Sequence, residues 1–270
     1  MHVNGAELTY IEQGAGDTVV FLHGSATDYR IWEDVRRRFG NEFRLVAYSR
    51  RHHAPNAWPD DGGTRSMKQH AEDLVGLIGA LGVSRAHIVA VSMGARVAAH
   101  TAVHHPQVVQ TLTLSDGLLA TPRTDEGKRV MEELGAGFKT MFGHIRAGND
   151  VGAVAAYIDL TSPGGGWKGL SAAWQGYYRD NARTLSLAAQ DSTLRPPSCE
   201  ALGTIQVPVL VLAGEATPPA IRAANEALLE CLRPRAEYAQ VPQAGHFWYA
   251  ESPGNATRLL LDFLRRHRAR

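Results

Sequence analysis

Short runs of uninterrupted apolar residues, each bounded by glycine, proline or a polar side chain, recur along the chain. They are "TVVFLHG" at 18–24, "FRLVAYS" at 43–49, "HIVAVS" at 87–92, "TLTLSD" at 111–116 and "VPVLVLAG" at 207–214. A strand covered on both faces has no side to show to water, so it reads as continuous valine and leucine rather than as an alternation. Between the runs the period changes. "SMKQHAEDLVGLIGALG" sets Met67, Ala71, Leu74, Ile78 and Leu81 at steps of three and four, which makes an apolar stripe able to cover one sheet face. "MGARVAAHTAVHH" before Pro106, "AIRAANEALLECL" before Pro234 and "PGNATRLLLDFLRRH" at the end of the chain read as three more helices. Strands alternating with helices predict a mainly parallel α/β sheet, opened by an antiparallel pair within residues 1–13.

The alternation fails between about 120 and 205. Here "EGKRVMEELGAGFKTMFGHI", "DVGAVAAYIDL" and "LSAAWQGYYRDNARTLSLAA" are helical or loop-like, and "TSPGGGWKG" separates two of them as a hinge. The pattern predicts a sheet core from 1–119 and 206–270, with a helical insertion at 120–205 lying over one sheet edge. Trp167, Trp174, Tyr177 and Tyr178 of the insertion are candidates for lining a pocket, although aromatics so spaced also pack an insert onto its host.

Composition narrows the function. With 28 basic against 27 acidic residues and a formal charge of +1, no global field favours a nucleic acid, a membrane surface or an acidic partner. Cys199 and Cys231 lack the short spacing of a zinc site and do not amount to a disulfide framework, which points to a reducing, cytoplasmic setting. "MHVNGAELTYIEQG" has no export pattern and no run is long enough to span a bilayer. Twelve histidines include the pairs His52-His53 and His104-His105, but no HExxH motif, so neither metal nor cofactor is expected. "SRRHHAPN" at 49–56 reads as a network bracing a loop, and the basic runs at 35–40 and 265–270 as a solvated helix face and a frayed tail.

The chemistry gathers at Ala90-Val91-Ser92-Met93-Gly94, where a buried strand must turn abruptly into a helix. Such a corner strains its middle residue, is sterically possible only with small residues two places to either side, and holds the serine out at the carboxyl edge of the sheet. Ala90 stands where the usual GxSxG pattern has glycine. A serine there can attack a carbonyl once a base takes its proton. His23-Gly24 ends another strand, leaving the amide of Ser25 able to point into the same cleft as that of Met93, two donors for a developing oxyanion. His246, in "VPQAGHFWYAESP", sits in a loop that can reach the serine.

The His-Gly turn with Trp32 behind it, "VSMGARVAAHTAVHHP", "VPVLVLAGE" and "AGHFWYAESP" together resemble the α/β-hydrolase superfamily, in its order and over nearly the whole chain. The resemblance implies an eight-stranded, mostly parallel sheet flanked by helices, with a cap inserted after the sixth strand. It also implies Ser92 as nucleophile, His246 as general base, and the Ser25 and Met93 amides as oxyanion hole. The family's acid commonly follows the strand matching "VLVLAGE", but Thr217 stands there and cannot carry the charge. Some members place the acid after the preceding strand, where this chain has Asp116; Glu215 is the alternative. A serine rather than an aspartate at the elbow argues against haloalkane or epoxide chemistry. The expectation is a serine esterase acting on a small to medium hydrophobic ester, as monomer or homodimer. A lactone, a thioester or a carbon–carbon bond beside a ketone is served by the same residues, and Thr217 keeps open a ligand-binding protein with little turnover.

Overall fold

The computed structural model describes residues 1–58, 66–162, 165–191 and 193–268. A separate hairpin pairs β1 (His2–Val3) with β2 (Ala6–Glu7), and β3 (Tyr10–Gln13) then joins the main sheet. β4 (Thr18–Leu22), β5 (Arg44–Tyr48), β6 (Ala86–Val91), β7 (Val109–Ser115), β8 (Val209–Gly214) and β9 (Ala236–Val241) complete a seven-stranded sheet in the order β3-β5-β4-β6-β7-β8-β9. Within this sheet, among the described residues, only the β3–β5 pairing is antiparallel. Among the described residues nine strands form, two of them the separate hairpin, so the main sheet has seven strands rather than the eight expected. The insertion follows β7, the fifth strand of the sheet in chain order rather than the sixth.

The apolar runs become these strands because both of their faces are covered. Val19 and Phe21 of β4, Val89 and Val91 of β6, and Leu210 and Leu212 of β8 face one core. Helices α1 (Glu33–Phe39) and α12 (Pro253–Arg266) close that side through Val35, Phe39, Leu260 and Phe263. The alternate residues Val20, Leu22, Ile88, Ala90, Val209 and Val211 face a second core, covered by α2 (Met67–Ala80), α3 (Met93–His104) and α10 (Pro219–Leu232). Ser66 caps α2 by accepting from the Gln69 amide, which fixes where that helix starts.

Between β7 and β8 lie α4 (Asp125–Arg146), α5 (Asp150–Thr161), α6 (Gly166–Gly169), α7 (Ala172–Asp180), α8 (Ala182–Gln190) and α9 (Cys199–Gly203). Positions 163–164 of the "TSPGGGWKG" hinge, like 269–270 of the basic tail, lie outside the described residues. α11 (Trp248–Glu251) precedes α12. No short motif links Cys199 and Cys231 in the sequence, yet α9 packs on α10 and the two cysteines form a disulfide. That corrects the expectation that they stay apart. Among the described residues no helix is long and apolar enough to cross a membrane.

Candidate active site

Ser92 occupies the corner between β6 and α3 with φ 54° and ψ −121°, a conformation that costs a non-glycine residue on the order of 1–3 kcal/mol. The corner closes because its flanks are small. A Cβ on Gly94 would lie 2.6 Å from the carbonyl oxygen of His23 and 2.7 Å from that of Leu22, both backbone atoms that cannot yield. Ala90 is buried in register with Leu22 on one side and Leu114 on the other. A methyl is thus tolerated before the serine and excluded after it.

The turn after β4 comes equally close, since a Cβ on Gly24 would sit 3.2 Å from Ser92 Cβ. Ser25 and Met93 line the same cavity as Ser92, and among the described residues the amide of neither donates to a protein acceptor. Beneath this turn the "SRRHHAPN" segment braces it as expected. The Arg50 amide donates to His23 Nε2 at 2.9 Å, and its guanidinium donates to the Gly24 carbonyl at 2.9 Å. Burial draws Arg50 down to about 10 and holds His23 and His53 well below the ordinary imidazole range, with the Arg50 charge pushing the same way.

His246 follows β9 on a buried loop, and its Nδ1 lies 3.1 Å from Asp116 Oδ2. Asp116 leaves β7 with φ 51°, a turn its short polar side chain tolerates. Its other contacts explain why the carboxylate is held there. Asn225 Nδ2 of α10 donates to Oδ1 at 2.8 Å, and Thr217 Oγ1 donates to Oδ2 at 3.2 Å. Thr217 Oγ1 also accepts from the Gly214 amide at 3.0 Å, so the residue standing where an aspartate was expected orients Asp116 instead. Glu215 is exposed and accepts from the Gln243 amide at 3.0 Å; it is not on the imidazole. Trp248 Nε1 donates to Ser115 Oγ at 2.8 Å and ties the histidine loop to the strand that bears Asp116.

The serine itself has a partner that sequence reasoning missed. Ser92 Oγ shares a hydrogen bond with Tyr157 Oη of α5 at 3.3 Å, rather than with the His246 ring. Burial raises the Tyr157 phenol above its usual range, keeping it a neutral hydroxyl. Arg96 and Asn225 were missed as well. Arg96 could have been noticed as the one lysine, arginine, aspartate or glutamate in α3; nothing in the local pattern singles out Tyr157 or Asn225.

A cavity of about 350 Å³ opens onto Ser92, walled by Phe138, Met141, Tyr157 and Leu185 of the insertion. Trp167, Trp174 and Tyr178, expected as pocket residues, do not reach it. Trp167 packs edge-on to Tyr178, Trp174 lies on Tyr249, and Tyr178 is sealed against Phe247. The physical reason is that α7 turns its aromatic face toward α11, so these rings weld the insertion to its host. Tyr177 instead lies under the Arg30 guanidinium.

A serine-bearing strand–helix corner at the carboxyl edge of a seven-stranded, mostly parallel sheet is the frame of a hydrolase of the α/β type. The model of the alpha/beta hydrolase family matches residues 19–258, and the chain belongs to that family. It is 26% identical over 268 residues to 2-(acetamidomethylene)succinate hydrolase of Mesorhizobium japonicum, covering 94% of this chain and 90% of that one. Among solved structures, Est816, an N-acyl homoserine lactone degrading enzyme, superposes with a TM-score of 0.71 at 25% identity, covering 97% of this chain and 99% of the other. A thermophilic esterase from Thermogutta terrifontis shares the fold with a TM-score of 0.70 at 20% identity, over 98% and 95% of the two chains.

Proposed function

We propose that this hydrolase cleaves a carboxylic ester of a small to medium, largely apolar substrate through an acyl-enzyme on Ser92. The observation that carries the reading is the buried His246–Asp116 pair, whose Asp116 lines the same cavity as a strained Ser92 and two uncommitted amides. Asp116 accepts the Nδ1 proton of His246 and so leaves Nε2 as the base. The Ser92 hydroxyl swings from Tyr157 to that nitrogen, gives up its proton and attacks the carbonyl. The Ser25 and Met93 amides receive the oxyanion, each contributing roughly 3 to 4 kcal/mol. His246 then protonates the leaving alcohol, and a water deprotonated by the same ring releases the acid. No cofactor enters this sequence.

Tyr157 supports a role as a parking partner: it keeps Oγ hydrogen-bonded in a largely apolar cavity until a substrate carbonyl displaces it. A lactone is the second reading, supported by the 25%-identical structure described as degrading a lactone. A small-molecule substrate is proposed; the Cys199–Cys231 bond removes the argument from cysteine usage for a reducing, cytoplasmic setting. The test is hydrolysis of p-nitrophenyl acetate and butyrate beside a panel of simple lactones, wild type against Ser92→Ala. Serine-dependent turnover is expected; its absence with every substrate would leave a ligand-binding protein in place of an enzyme.

A further inference from the structure

Arg96 is the charge this mechanism does not use. It stands one turn beyond Ser92 on α3, its amide bonded to the Ser92 carbonyl at 3.4 Å. The side chain lines the 350 Å³ cavity together with Ser92 and Tyr157. Its Nε donates to the Gly117 carbonyl at 2.8 Å and one Nη to the Leu194 carbonyl at 3.3 Å. Those two bonds leave three of the five guanidinium N–H groups, and among the described residues no carboxylate pairs with it. Of the acids on the cavity wall, Asp116 is committed to His246, Thr217 and Asn225, while Asp191 accepts from the amide and hydroxyl of Thr193. Burial pushes the guanidinium below the usual arginine range, and a full positive charge without a counter-ion is a costly thing to keep in an apolar cavity.

We infer that the substrate carries a carboxylate besides its scissile bond, and that Arg96 receives it in the cavity that holds Ser92. The inference rests on the hydrolase reading above and adds the substrate's charge to it. A planar guanidinium offers a carboxylate paired donors, and Arg96 already has its plane fixed by the two carbonyls, so little freedom is lost on binding. One helical turn from the nucleophile suits an acid group a few bonds from the reacting carbonyl, as in a monoester of a short dicarboxylic acid. Two other arginines are weaker candidates: Arg195 lines the same cavity but is exposed. Arg50 adjoins a cavity of only about 30 Å³, room for a water and not for a carboxylate with its chain.

The experiment compares monomethyl glutarate with methyl pentanoate, equal in chain length and differing by the carboxylate, followed by proton release in wild type, Arg96→Met, Arg96→Lys and Ser92→Ala. Wild type should favour the charged ester in kcat/KM by roughly 10- to 100-fold, the range of a charge-assisted hydrogen bond. Arg96→Met should bring the ratio to about one or below, and Arg96→Lys should restore part of it. A purely structural Arg96, bracing the Gly117 and Leu194 carbonyls, would lower both esters together and leave their ratio untouched; that result, or a wild-type preference for the neutral ester, overturns the inference. If neither ester is cleaved in a Ser92-dependent way, the hydrolase reading fails on its own. Calorimetry with glutarate then decides the anion site: binding to wild type that Arg96→Met abolishes upholds it, and no binding to wild type overturns it.

Discussion

The imidazoles buried around Arg50 make the fold sensitive to mild acid. His23 donates from Nδ1 to the Gly24 carbonyl at 3.0 Å and accepts the Arg50 amide on Nε2 at 2.9 Å, an arrangement that only the neutral ring allows. His53 is held likewise, with Nδ1 against the Arg51 carbonyl and Nε2 facing the Arg50 guanidinium at 3.3 Å. His70 is buried beside the same charge, and desolvation takes His87 down to about 4 despite Asp17 nearby. All four stay neutral in the folded protein while the unfolded chain titrates near pH 6.5. Below that value the unfolded state binds more protons, so stability is full above about pH 7 and falls as the pH drops through 6.5 toward the folded values.

Between pH 7.5 and 5.5 each such histidine removes on the order of 1 kcal/mol, so the four together remove several kcal/mol from a total that for most domains is about 5–15 kcal/mol. The carboxylates whose pKa is drawn down by arginine partners, such as Glu33, give up their contribution only below their ordinary range and do not enter this window. Urea unfolding at pH 7.5, 6.5 and 5.5 reads the effect as a falling midpoint at constant slope. His53→Gln should shrink the loss by about one histidine's share. A change under about 1 kcal/mol across those two pH units would refute the argument that these rings are kept neutral.

Two further outcomes follow from named contacts. Asp116→Asn should reduce turnover by about 10⁴-fold, since an amide can hold His246 in the wrong tautomer, whereas Glu215→Gln should stay near wild type; steady-state kinetics with p-nitrophenyl butyrate in which the second variant is the inactive one would reassign the acid. The Cys199–Cys231 bond closes a separation of 32 residues, so reduction should lower stability by about 3–4 kcal/mol, read by urea unfolding with and without dithiothreitol; two free thiols titrating in the unreduced, denatured protein would refute the pairing.

The division between what was legible and what was not follows the range of each interaction. Strands covered on both faces announce themselves within six residues, as "HIVAVS" does, and the Ser92 corner is a local steric fact set by Ala90 and Gly94. Asp116 was visible as a candidate because it ends a strand, but its preference over Glu215 depends on Thr217, Asn225 and His246 arriving from three other segments. The cysteines were misjudged for the same reason: α9 and α10 meet only in the fold. The insertion was the hardest to read. Its conspicuous aromatics, Trp167, Trp174 and Tyr178, turn toward the host, while the inconspicuous Tyr157, lodged among the small apolar residues of α5, meets the serine. Size and hydrophobicity select residues for packing, so the largest rings are drawn to the seam between insertion and sheet. A group that must face a polar centre is selected for one hydroxyl at one distance, and a composition-based reading has no purchase on that. Arg96 lies between these cases: its position was unremarkable, but a lone full charge in a helix of alanine and valine is an energetic cost visible in the sequence, and such a cost is where a function is to be sought.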